Sequence, residues 1–67
     1  MNIKYNNEVV GTVITNHSMT IEEALYAIGY DINDATDLQK AYDDGFAAAY
    51  VDDEGNAQID IDALEME

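Results

Sequence analysis

The chain has 67 residues and a formal charge of −13, from fifteen acids against Lys4 and Lys40, with no arginine. Neutralising phosphates takes clustered Lys and Arg, so direct nucleic-acid binding is excluded, and anionic lipid would repel so acidic a surface. At this length one domain, residues 1–67, is the ceiling.

Hydrophobic residues make up 48% of the chain, too many for a disordered acidic tail. No cysteine is present, so disulfides and thiolate metal sites are ruled out, and stability must come from packing or association. The segment Met1–Tyr5 lacks a basic signal-peptide start. No run approaches the roughly 18 apolar residues of a membrane span, so a cytoplasmic location and no membrane partner are expected. Asn16-His17-Ser18 fits a glycosylation sequon, read as chance without a secretion signal. Charge is segregated: residues 1–21 sum to zero, and the remaining 46 hold the whole −13.

In chain order, Ile3, Tyr5, Val9, Val10, Val13 and Ile14 are β-branched or aromatic, with Asn6-Asn7 between the two runs. This predicts a hairpin with strands near 2–5 and 9–15, because Asn tolerates the positive φ of a tight turn. Thr20 stands three residues before Glu23, a capping-box spacing, with Met19 placed as a hydrophobic staple. Ile21, Ala24, Leu25 and Ile28 follow helical spacing and Gly29 is placed to stop it, giving a helix over 20–28. Asn33 or Asp34 caps a second helix over 34–44, whose apolar stripe is Ala35, Leu38, Ala41 and Tyr42 and whose stop is Gly45. On it, Lys40 lies within reach of Asp37 and Asp44. Phe46–Val51 reads as a strand, made ambiguous by the alanines at 47–49, then 52–56 as a turn and 57–62 as a last strand. After Ala63 the alternation changes phase, which a bulge or short terminal turn would cause. The resulting fold class is α+β, in the order ββααββ, with two helices on one face of a small antiparallel sheet.

No catalytic residue is assigned. The one histidine and one serine, His17 and Ser18, are sequence neighbours that point in different directions. Paired-carboxylate chemistry needs a cleft that so short a chain has little volume to build. A calcium loop starting at Asp52 has Glu54 and Asn56 in place but Ala57 and Ala63 where glycine and glutamate are needed. One starting at Asp31 has Asn33 but then Ala35, Thr36 and Tyr42. No metal or other cofactor is therefore expected.

Partner binding is the stronger reading. Asp31, Asp34, Asp37, Asp43 and Asp44 line the second helix and its approach; Asp52, Asp53 and Glu54 occupy the turn; Asp60 and Asp62 would share a strand face about 7 Å apart. Tyr26 falls one turn after Glu22 and away from the apolar face, and Tyr30 follows in the acidic part, as suits an interface; Tyr42 and Tyr50 read as core. A charge of −13 exceeds the magnitude of about 2–8 that a small domain needs for solubility, at a cost in self-repulsion.

In size, acidity and absence of catalytic residues the chain resembles the small acidic anti-defence proteins of phages and mobile elements, the anti-CRISPR and DNA-mimic antirestriction proteins. The resemblance is one of composition, with no shared motif. It implies a non-enzymatic inhibitor occupying the basic surface of a nuclease or other nucleic-acid-binding protein, in the cytoplasm of a host cell. A weaker likeness, to the ubiquitin-like sulfur carriers, stops at the C-terminus: those end in Gly-Gly and this chain in Leu64-Glu65-Met66-Glu67. The alternative is a self-associating structural or regulatory protein, a homodimer for example, using Val10, Ile14 and Phe46 while the acids serve solubility.

Overall fold

The computed structural model describes residues 1–15 and 17–67; Asn16, the acceptor of the sequon, lies outside the described residues. The mixed α+β class is observed, and the order ββααββ holds with a fifth strand added at its end. Strand β1 (Asn2–Tyr5) and strand β2 (Glu8–Thr12) form the expected hairpin, with Asn6 and Asn7 at φ 52° and 67°, the left-handed pair that matches the twist of two strands. The ladder carries a bulge: Ile3 faces Gly11 but Lys4 faces Val9, leaving Val10 as the extra residue. The bulge has no signal in the run of valines that encodes it.

Helix α1 (Ile21–Ala27) starts on the expected capping box: the Glu23 amide donates to Thr20 Oγ1 at 3.2 Å, and the Thr20 amide donates to Glu23 Oε1 at 3.1 Å. Helix α2 (Ala35–Asp43) is capped by Asp34, which accepts from the Thr36 amide at 2.8 Å. Both helices stop the same way. Past Gly29, the Tyr30 amide donates to the Leu25 carbonyl, and past Gly45 the Phe46 amide donates to that of Ala41. These are Schellman closures, and they need the positive φ that Gly29 (103°) and Gly45 (78°) supply.

The second half departs from expectation. Phe46–Ala48 is a turn, and strand β3 is confined to Ala49–Val51; it pairs with β4 (Ala57–Ile59). A 3₁₀ turn over Ile61–Ala63 then reverses the phase, as the sequence allowed, and leads into strand β5 (Leu64–Met66). β5 pairs with β1 and not with β4, so the single expected sheet is two: β2-β1-β5 and β3-β4. Asp60 and Asp62 consequently do not share a strand face: Asp60 follows the end of β4 and Asp62 sits in the 3₁₀ turn.

One hydrophobic core joins the halves. Ile3 and Leu25 are its fully buried large side chains, and Ala24, Ala41, Ala48 and Ala57 let backbones approach closely. α2 packs on the β3-β4 hairpin, while α1 meets the three-stranded sheet along β5. Gly11 lies under α1's end: a Cβ there would come within 3.1 Å of Ile28 Cδ1 and 3.4 Å of Ile3 Cδ1. The stripe of α2 is narrower than read, since Leu38 and Ala41 are buried but Ala35 is exposed. Tyr42 and Tyr50, read as core, are 45% and 47% exposed. Tyr50 pairs with Gln58 on the β3-β4 face opposite Ile59 and Ala57, which are the buried residues facing the core.

Candidate binding surface

The acids of the second helix are largely used to build the fold. Asp31 is half-buried: its Oδ1 accepts from the Asn33 amide at 2.9 Å, and its own amide donates to Asp37 Oδ2 at 3.0 Å, which fixes the path between the helices. Asp34 is the cap, Asp43 Oδ1 accepts from the Gln39 side chain, and Asp44 Oδ2 accepts from the Tyr30 hydroxyl at 3.0 Å. Desolvation, then the Asp44 hydrogen bond and charge, raise the Tyr30 phenol above the ordinary tyrosine range.

Asp52 organises the β3-β4 turn. Its Oδ1 accepts from the Asn56 and Glu54 amides and its Oδ2 from the Gln58 side chain. The Asn56 bond foremost, with help from Gln58 and Glu54 and against partial desolvation, holds the carboxyl below the ordinary aspartate range. Asp53 and Glu54 project from the same turn, exposed.

A third group of carboxylates was only half legible. In α1, Glu22 and Tyr26 are one turn apart on a single face, and Tyr26 is 69% exposed, as the spacing predicted. A groove of about 500 Å³ lies between this face and the connection leading to α2. Tyr26, Met19, Ala27 and Ile32 give it apolar walls; Glu22, Glu23 and Asp31 line it with carboxylates, and His17 completes it. His17 Nδ1 donates to the Ser18 backbone carbonyl at 2.9 Å, so its ring reaches the main chain and not the serine hydroxyl. The Glu22–Tyr26 spacing signalled one wall; Ile32 and His17 join it only through the fold. A second depression, of about 670 Å³, runs past Thr36, Lys40 and Asp43, but a single helix lines it and it is an open furrow.

Of the residues read as a binding surface, the groove unites Asp31 and Tyr26. Asp43 and Asp44 share the α2 furrow, and Asp52–Glu54 share the turn. Tyr30 is half-buried, packed at a tilt against Phe46, and is not a free aromatic surface. Among the described residues the one ion pair is Lys4 Nζ with Glu67 Oε2 at 2.6 Å. Lys40, expected near Asp37 and Asp44, instead lies over the Tyr30 ring, 6.0 Å from its centroid. No side chain among the acids is buried, so the charge faces solvent. No helix among the described residues is long and apolar enough to cross a membrane. No protein-family model, curated protein or solved structure matches the chain.

Proposed function

We propose that the protein is a non-enzymatic acidic binding protein that occupies a basic surface of a nucleic-acid-binding protein, such as a restriction or CRISPR nuclease, in the cytoplasm of a host cell. The observation that carries this reading is the α1 groove, where the exposed Tyr26 ring stands among Glu22, Glu23 and Asp31 with no lysine of the chain's own among its lining residues. A Lys or Arg side chain suits it. The aliphatic stem would lie against Met19 and Ile32, and the charged head would meet an aromatic face and carboxylates at once. The exposed acids of α2 and the β3-β4 turn extend the field that steers such a partner in.

The test is a binding titration against a purified restriction or CRISPR nuclease across a salt series, with duplex DNA as competitor. Affinity falls steeply with salt, DNA competes, and Tyr26→Ala with Glu22→Gln weakens binding about tenfold or more. Affinity that stays flat with salt, or a ternary complex with DNA, overturns the reading.

A further inference from the structure

The N-terminal third of the chain, which carries no net charge, has an open edge. Strand order β2-β1-β5 leaves β2 unpaired on its outer side among the described residues. Met1 and Val13 exchange both backbone hydrogen bonds, at 2.8 Å each, so by the alternation of an antiparallel ladder Thr12, opposite Asn2, turns its N–H and C=O outward. The bulge at Val10 also sets the faces. Val9 and Thr12, three residues apart, come to lie on the same side of the sheet as Lys4 and Asn2, their partners. Val9 is 54% exposed there, and Ile14, just past the strand, is 99% exposed. The sole cationic side chain of this sheet is already held by Glu67, and the acidic half resumes on the far side of β1 with Glu65.

We infer that the β2 edge is a self-association surface, whose occupant is the β2 edge of a second copy. Charge selects the occupant. A basic partner has the acidic remainder of the chain to bind, whereas a second copy of a −13 chain is repelled least at residues 1–21, whose one acid is Glu8 at the start of β2. Antiparallel pairing of β2 with itself about a two-fold axis is self-complementary, and it would cover Val9 and Ile14. The bulge at Val10 interrupts the ladder along β2, which keeps the contact small. The dimer is accordingly weak and concentration-dependent.

Salt has the opposite sign here from its effect on a basic partner, because it screens repulsion between copies, so the two readings fail independently. Sedimentation equilibrium over a protein concentration series, at about 0.05 M and about 0.5 M NaCl, tests it. Dimer fraction rises with protein and with salt, and Ile14→Glu, at a side chain that makes almost no contact within its own chain, raises Kd about tenfold or more; Val9→Glu does the same. Circular dichroism checks that both variants are folded. A monomer throughout at high salt, a dimer that salt weakens, or one indifferent to both substitutions overturns the assignment.

Discussion

The rings of Tyr30 and Phe46 meet with centroids 5.2 Å apart and planes tilted by 55°, and each is the residue immediately after the glycine that stops its helix. The two stop signals thus do more than end helices. They deliver one aromatic each to a common contact, which Lys40 overlies and Asp44 ties down through the Tyr30 hydroxyl. Tyr30→Phe keeps the ring contact and removes the hydrogen bond, at a cost of about 1 kcal/mol. Tyr30→Ala loses both and costs about 2–3 kcal/mol for a half-buried ring. Urea unfolding separates the two; equal losses would show that the ring contact contributes nothing.

The raised Tyr30 phenol makes folding weaken at alkaline pH. Its contribution is complete below the unfolded tyrosine range near pH 10, where both states are protonated, and is lost as pH rises through the higher folded value. In an ultraviolet titration of tyrosinate, the wild type keeps a late-titrating component that Tyr30→Phe lacks.

Asp52 has the opposite sign. Its folded carboxyl is held below the unfolded value, so its contribution is present above the ordinary aspartate range near pH 4 and is lost as pH falls through the lower folded value. Asp52→Ala is therefore less stable than wild type at about pH 7, and the gap closes by about pH 2. Paired denaturation curves at the two pH values measure it.

Self-repulsion among the exposed carboxylates, with one ion pair to offset it among the described residues, makes the monomer salt-stabilised. Raising NaCl from about 0.02 M to about 0.3 M adds about 1 kcal/mol, or roughly 4–8 °C in Tm. Melting curves with NaCl and KCl should superimpose, since screening follows ionic strength.

Gly11→Ala tests the close approach of β2 to the end of α1. The added methyl meets the tip of Ile28 at 3.1 Å, so that side chain must give by a few tenths of an ångström, while Ile3 at 3.4 Å is in ordinary contact; the cost is about 1 kcal/mol. Adding Ile28→Val should recover part of that loss, which a double-mutant cycle would detect.

Local chemistry was legible and tertiary partition was not. Asn6-Asn7, Thr20 with Glu23, Gly29 and Gly45 act through the backbone within a few residues, and each does in the fold what its position foretold. The split into two sheets turns on β5 choosing β1 over β4, a choice between partners distant in sequence that no alternation of Ile59, Ile61, Leu64 and Met66 encodes. Tyr42 and Tyr50 went astray because an amphipathic ring satisfies either side of a small sheet or helix; four core alanines, not tyrosines, fill the space beneath. For the binding surface, acidity was readable but allocation was not. Asp34 and Glu23 serve helix caps, Asp44 holds the Tyr30 hydroxyl and Asp52 a turn, while Glu22 stands in the groove.

The placement of the two lysines gives the molecule a built-in reporter. Trypsin cleaves after Lys or Arg, which leaves it two bonds: Lys4–Tyr5 inside β1, the central strand of the larger sheet, and Lys40–Ala41 inside α2, the helix that backs the smaller one. Neither can enter a protease active site without local opening, and cutting then tracks the open population. The order in which the two fragment pairs arise from native protein therefore reveals whether the halves come apart together or one at a time.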